Sequence, residues 1–306
     1  MKLYTINNDK LKSLSPDDFK LEREIQNLIE NNLDELFNLQ FVKSELKIKN
    51  FRIDTLGYDK ENKSFVVIEY KRERNFSVID QGYTYMSLML NNKSDFILEY
   101  NEVCDGQLRR DDVDWSQSKV IFISPQYSEY QKHSVNFKDV PFELWEIKRY
   151  KQNLIGLIQH KTNSEESIST TTPDKTNVVN QVSNQIKIYS EEFHLNSSNN
   201  RPEWVNELYF KIKEKILNLK DVEMKHNKYF ISFRNKSPFA DIMFYNNGLK
   251  ITLNMREGTL KDPEQMMENY NRKGHWGNGD YFTQIDTKTD LDYLMFLINQ
   301  SYQNKI

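Results

Sequence analysis

The sequence predicts two folded domains of mixed α and β structure: an α/β domain over residues 1–160, a flexible linker over 161–187 and a small α+β domain over 188–306. Three observations carry this reading. Residues 1–160 combine one helical stripe and a second helix with a hairpin and three further β-rich runs. From Lys161 to about Lys187 the chain turns to Ser, Thr, Asn, Gln and Glu, including Ser167-Ile-Ser-Thr-Thr-Thr-Pro173, with little to bury. A second set of helices and strands follows. At 306 residues the chain exceeds the usual size of one core, and 18 Phe with 17 Tyr supply aromatic mass for two. No period of about 20–50 residues recurs, so the domains are not repeats of one another.

Over residues 19–37 the apolar positions 21, 25, 28, 29, 33 and 36 recur at helical spacing, after a plausible start at Ser15-Pro16-Asp17-Asp18. Glu22 falls inside the apolar arc, between the directions of Ile25 and Leu33. A carboxylate aimed inward needs a partner or a metal; a first-turn position, where the helix dipole favours a negative charge, also accommodates it. Residues 51–58 and 65–71 are β-rich runs around the polar turn Asp59-Lys-Glu-Asn-Lys-Ser64, which makes a hairpin. Along its second strand Val67, Glu69 and Lys71 share one face, and Val66, Ile68 and Tyr70 the other. Gln81 and Tyr85, one turn apart at the start of a helix through Leu90, share a face. Residues 119–124, 140–147 and 153–158 read as strands that close the first domain.

After the linker, Trp204, Leu208, Ile212, Ile216 and Leu219 form one helical stripe, and residues 229–233, 239–245 and 249–254 form β-rich runs, the last two joined by the turn Asn246-Asn247-Gly248. The chain ends on an amphipathic helix over 290–302, with Leu291, Leu294, Met295 and Ile298 on one stripe. This is an α+β pattern.

The chemistry is concentrated around Asp54, Glu69 and Lys71. Mg²⁺ prefers carboxylate, carbonyl and water oxygens and takes one or two protein carboxylates while keeping several waters. Asp54 and Glu69 would supply them. A bound metal polarises a phosphate and lowers the pKa of a water, and the Lys71 ammonium would stabilise the charge that develops. The structural alternative is a strand-ending Asp54 with Glu69 and Lys71 as a solvated pair.

Glu22, Asp54, Glu69-Tyr70-Lys71 and Gln81-x-x-x-Tyr85 resemble the ordered motifs of the PD-(D/E)xK nuclease superfamily, in its branch with a Gln-x-x-x-Tyr motif, over most of residues 1–160. No Pro precedes Asp54. The resemblance implies a restriction-endonuclease-like fold, a mixed sheet flanked by helices. It implies that Asp54 and Glu69 bind Mg²⁺, with Mn²⁺ as a substitute, that Lys71 assists catalysis and that Glu22, Gln81 and Tyr85 complete the catalytic site. The stretch 52–81 is also similar to bacterial proteins of this type labelled predicted transport proteins. A transporter is excluded here: no run approaches the ~18 apolar residues that span a bilayer, and mean hydropathy is strongly negative. The polar start, Met1-Lys-Leu-Tyr-Thr-Ile-Asn-Asn-Asp-Lys10, is no signal peptide, so a cytoplasmic location is expected. The single cysteine, Cys104, leaves neither an intramolecular disulfide nor a Cys-x-x-Cys metal site.

Net charge is only −3, so nucleic-acid binding has to come from a local patch. Lys71-Arg72-Glu73-Arg74 offers one, with Arg72 and Arg74 as candidate contacts, whereas Arg109-Arg110, beside Asp111 and Asp112, reads as solvated surface. The region from Tyr189 to the C-terminus resembles the family called DUF5655, through Gly274-His-Trp-Gly-Asn-Gly-Asp280. His275 and Trp276 there either contact a base or peptide or sit in a tight turn packed on the core. The expected function is a Mg²⁺-dependent DNA endonuclease acting in defence against foreign DNA or in DNA repair. Its partner would be DNA, modified or structured DNA included, with no membrane and with a homodimer allowed. Two alternatives stay open: a catalytically weak nuclease-fold binding module, and an RNase or structure-selective nuclease.

Overall fold

The N-terminal strands β1 (Tyr4–Asn7) and β2 (Lys10–Ser13) pair antiparallel around Asn8 and Asp9, whose φ angles of 49° and 61° suit short polar side chains. The computed structural model describes residues 2–72, 77–104, 106–137, 139–161, 164, 166–168, 178–270 and 279–305. Its contacts divide the chain into two units, residues 1–188 and 189–306.

The helical stripe over 19–37 is two helices, α1 (Glu22–Glu30) and α2 (Leu33–Phe37). Asn32 interrupts it with a non-helical φ of −132° and ψ of 24°, its side chain donating to Leu28 O at 2.7 Å and competing with the helical ladder. Next come β3 (Gln40–Ile48), β4 (Phe51–Asp59) and β5 (Ser64–Tyr70), a three-stranded antiparallel meander that contains the expected hairpin. α3 (Val78–Asn91), capped by Ser77 through Asp80 N, leads into α4 (Lys93–Val103). Then follow β6 (Lys119–Ser124), α5 (Glu129–Ser134), β7 (Phe142–Tyr150) and β8 (Leu154–His160).

The six strands form one mixed sheet in the order β3-β4-β5-β6-β7-β8, with β5, β6 and β7 parallel and the outer pairs antiparallel. Helices cover both faces. Ile25 and Ile29 of α1 pack with Val66, Ile68 and Ile121 on one side. Met86 and Met89 of α3 and Phe96 of α4 pack with Val67, Val120 and Phe122 on the other. A strand buried on both faces reads as a continuous apolar run, which is what residues 65–68 and 120–123 are.

Part of the segment expected to be a flexible linker is packed on the first unit. α6 (Val178–Ser183) and Ile168 join the α3-side core, where Val182 is 1% exposed. Lys187 N donates to Ser116 O at 3.1 Å, and Ile168 N donates to Asp139 Oδ1 at 2.8 Å. The physical reason is spacing. Val179, Val182 and Ile186 recur at helical intervals inside a polar composition, so a few apolar side chains on one stripe suffice to dock it.

The second unit contains α7 (Glu191–Leu195), α8 (Glu203–Leu217), β9 (Glu223–His226), β10 (Ile231–Arg234), β11 (Pro238–Tyr245), β12 (Gly248–Leu253), β13 (Glu268–Asn269), β14 (Tyr281–Ile285) and α9 (Leu291–Gln303). Its strands form an antiparallel sheet in the order β13-β14-β12-β11-β10-β9. The stripes of α8 and α9 bury Ile212, Ile216, Leu294 and Ile298 with Phe233, Ile242 and Ile251. Tyr245 pairs with Gly248 around a two-residue turn at Asn246 and Asn247. Gly279 has φ 91°, and a Cβ there would lie 2.0 Å from Leu253 O, so no other residue fits without rearrangement. Among the described residues no helix is long and apolar enough to cross a membrane.

Candidate active site

The hairpin register places the two candidate metal carboxylates together. β4 and β5 pair through Thr55↔Ile68, and one further step of that register sets Asp54 opposite Glu69. The ladder ends there: the Asp54 side chain itself accepts from Tyr70 N at 3.1 Å, and its backbone carbonyl accepts from Gln26 Nε2 at 3.1 Å. On the β3 side Ser44↔Thr55 and Leu46↔Ile53 bracket Glu45 and Asp54, and Glu45 takes φ 56° between them. A non-glycine residue in left-handed conformation inside a strand is a local distortion of the kind that re-aims side chains.

Glu69 is 3% exposed. Its Oε1 accepts from Lys71 Nζ at 2.7 Å, while Oε2 is buried with no hydrogen-bond partner among the described residues. Burial, then the negative charge of Asp54, pushes the Glu69 carboxyl up to about 7, against the pull of Lys71 and the Tyr85 hydroxyl. Burial also raises the pKa of Asp54, partly offset by the Tyr70 amide and Lys71. For Lys71, burial favours the neutral amine, but the hydrogen bond and charge of Glu69, with Asp54 and Glu22, outweigh it and leave the net shift upward. The ammonium is therefore held protonated between carboxylates.

α3 supplies the far wall. Tyr85 is buried, its hydroxyl acts on Glu69 and donates to Arg52 O at 3.4 Å, and burial raises its pKa. Gln81 lies one turn earlier, its amide Oε1 buried without a partner among the described residues. Gly82 lets this helix approach the sheet, since a Cβ there would lie 2.5 Å from the Phe142 ring. The structure thus brings Asp54, Glu69, Lys71 and Tyr85 together, and sets Gln81 on the same helix as Tyr85.

Of the two readings of Glu22, the structure has the first-turn one. Glu22 is exposed rather than buried in the apolar arc, because α1 starts there and the preceding Leu21 is itself exposed. Its carboxylate accepts from Arg72 N at 2.9 Å and is close enough for its charge to act on Asp54 and Lys71. The polar residue that does enter the arc is Gln26, one turn later and 5% exposed. Its Nε2 contacts Glu30 at 3.0 Å, Ser44 at 3.1 Å and the Asp54 carbonyl at 3.1 Å. Behind it, Thr55 Oγ1 donates to Glu30 at 2.5 Å and lies 3.0 Å from the Tyr70 hydroxyl. A glutamine between Ile25 and Ile29 was the signal for this clamp.

Among the described residues no group of three or more His, Cys, Asp or Glu side chains is arranged to hold a metal. Any metal here would rest on the Asp54–Glu69 pair with carbonyl oxygens and water. Of the candidate nucleic-acid contacts, Arg72 directly follows the site, its guanidinium donating to Lys20 O. Arg74, His275 and Trp276 lie outside the described residues.

Comparison with known proteins adds the following. Residues 196–305 match the family described as a domain of unknown function, DUF5655. Solved structures with partial overlap include a repair endonuclease from Pyrococcus abyssi (21% identity, 40% of this chain and 45% of that one, TM-score 0.27). An EndoMS–double-stranded DNA complex overlaps similarly (19% identity, 42% of this chain and 47% of that one, TM-score 0.29). Pyrococcus furiosus SfsA in complex with Ca²⁺ is a third (12% identity, 49% of this chain and 75% of that one, TM-score 0.25). The overlap covers less than half of either of the first two, and likeness at this level extends no function to the present chain. An uncharacterized protein of Haemophilus influenzae is 44% identical over 306 residues, spanning 99% of this chain and 100% of that one. The chain belongs to one family with that Haemophilus influenzae protein, and its C-terminal part is a DUF5655 domain.

Proposed function

We propose that the first unit is a Mg²⁺-dependent DNA endonuclease of the restriction-endonuclease-like fold, acting in defence against foreign DNA or in DNA repair. The observation that supports this most directly is the Asp54–Glu69 pair, with Glu69 nearly wholly buried, one of its oxygens unpartnered, and the Lys71 ammonium at 2.7 Å. Two neighbouring carboxylates, one of them buried, are costly in a fold that does not use them, and perturbed acids of this kind cluster at functional sites.

The residues fit a hard cation. Asp54 and Glu69 are carboxylate ligands, and Gln81 Oε1 is a second buried, unpartnered oxygen of the type Mg²⁺ or Mn²⁺ accepts. When bound, the metal supplies Lewis-acid polarisation of the phosphate and lowers the pKa of a water. Lys71, kept protonated by Glu69, would donate to phosphate oxygens as their charge grows. Tyr85 would hold the Glu69 carboxyl in place, and Gln26 would hold the Asp54 backbone.

The test is cleavage of duplex, single-stranded and modified DNA and of RNA, with Mg²⁺, Mn²⁺, Ca²⁺ or EDTA. DNA cleavage with Mg²⁺ and Mn²⁺ is expected, with none in Ca²⁺, in EDTA or with Asp54→Ala. Cleavage that persists in EDTA removes the metal from the reading, and cleavage confined to RNA changes the substrate.

A further inference from the structure

The three parallel strands point their carboxyl ends, at Tyr70, Ser124 and Tyr150, toward the same end of the first unit's sheet, with β7 running five residues past the level of Tyr70. Ligands of open α/β sheets seat beyond those ends. Glu69 and Lys71 stand at the end of β5. Beside them a cleft of about 370 Å³ opens, with Phe19, Ile147 and Tyr150 as an apolar floor and Arg72 and Lys148 among its charged lining. The floor residues are buried, whereas Arg72 is exposed and Lys148 half-exposed. Small-ligand sites start at about 300 Å³.

The cleft is a built feature. Arg149 donates to Asp17 O at 3.1 Å, Asp18 O at 3.0 Å and Glu24 Oε2 at 3.0 Å, and its guanidinium lies 4.6 Å from the Phe19 ring centre. Pro16 bridges to Tyr150. These contacts pin residues 16–19 as one wall, so Arg149 is committed to holding the cleft open. Lys148 is placed differently. Its carboxylate neighbour is Glu146, with Oε2 at 3.5 Å, long for a charge-assisted hydrogen bond, and Glu146 also meets His160 at 3.1 Å and Lys132 at 3.9 Å. Its charge is therefore only partly neutralised. Cationic side chains also outnumber the one acid of the lining, Asp18.

An apolar aromatic floor beneath a cationic rim is the pairing that receives a base and its phosphate. We propose that this cleft is a nucleotide subsite. It takes one nucleotide of an unpaired nucleic-acid segment, the base against Phe19, Ile147 and Tyr150 and the phosphate between Arg72 and Lys148. The inference rests on the nuclease reading for the identity of the ligand. With strands spaced by about 4.8 Å and a rise of about 3.3 Å per residue, Lys148 lies two strands across from β5 and three residues past the level of Tyr70, about 14 Å or roughly two nucleotides from the proposed cleavage position.

The experiment uses the full chain in EDTA, so that binding is read without cleavage. The probe is a fluorescent, 5′-phosphorylated octathymidylate, and a second version carries 5-iodouracil for photocross-linking. Lys148→Gln is expected to weaken binding at least fivefold and to reduce the slope of log affinity against log salt by about 0.7, the value for one single-strand phosphate contact. Cross-links are expected within residues 16–19 or 147–150. Binding unchanged by Lys148→Gln, or cross-links confined to other segments, would overturn the proposal. So would thymidine 5′-monophosphate binding as tightly as the oligonucleotide, which would make this a free-nucleotide site. Lys148-dependent binding in a protein that cuts nothing with Mg²⁺ would leave the subsite standing and remove the nuclease reading. Metal-dependent cutting with Lys148-independent binding would remove the subsite alone.

Discussion

Replacing Glu69 by Gln is expected to stabilise the first unit at neutral and alkaline pH while eliminating cleavage. Glu69 is 3% exposed, faces Asp54 across the hairpin, and has its carboxyl pushed from 4.5 up to about 7, first by burial and then by Asp54. The folded chain therefore holds this proton more tightly than the unfolded chain. Between those two values the unfolded state ionises first, so stability falls as pH rises through the window. Across that window the cost of ionising Glu69 in the fold grows to about 3 kcal/mol, absent below pH 4.5 and complete above about pH 7. Gln carries no charge at any pH. Urea denaturation in EDTA, with hydrogen exchange at Val66, Val67 and Ile68 assigning the transition to this unit, should show the Gln variant gaining on the wild type. The difference should rise from near zero at pH 4.5 to about 3 kcal/mol at pH 8. Saturating Mg²⁺ should narrow it, because a metal that binds only the folded wild type stabilises it by mass action. Equal or lower stability of the Gln variant at pH 8 in EDTA would refute the reasoning, since the ionised Glu69 would then cost the fold nothing.

Lys71→Ala should lower kcat by about 10²-fold or more while changing oligonucleotide affinity in Ca²⁺ much less, and Lys71→Arg should not restore the rate because the planar fork differs from a point ammonium; normal kcat in Lys71→Ala would remove its catalytic role. Gly82→Ala sets a methyl 2.5 Å from the Phe142 ring and should cost about 1–3 kcal/mol in denaturation experiments. Unchanged stability there would mean that α3 is not held against β7 as described. Residues 1–188 should be more stable than residues 1–160, because the shorter chain loses the buried Ile168 and Val182, each worth about 1.5–3 kcal/mol. Equal melting temperatures would show that the docked segment contributes nothing.

What the sequence determined by itself is local. The β4–β5 hairpin was legible because its alternation and its polar turn are properties of neighbouring residues, and it alone puts Asp54 and Glu69 opposite each other. The helix that carries Gln81 and Tyr85, the stripes of α8 and α9 and the two-residue turn before Gly248 were legible for the same reason. β3 was not, because Val42, Leu46 and Ile48 are interleaved with Lys43, Glu45 and Lys47 and bury only through their partner strand.

Only the tertiary structure decided the features that need a partner distant in sequence. β5 lies parallel to β6, a pairing no local pattern encodes. Glu69 is buried at the end of its strand, and that burial raises its pKa while Tyr85, brought in by the distant helix α3, pulls it down. Glu22 is exposed and Gln26 buried because Glu22 opens α1 and Gln26 lies one turn in, so an arc drawn from periodicity alone overstates how far the burial runs. Ile168 and Val182 dock a segment of linker-like composition because burial depends on where a few side chains land, and average hydropathy does not record that position.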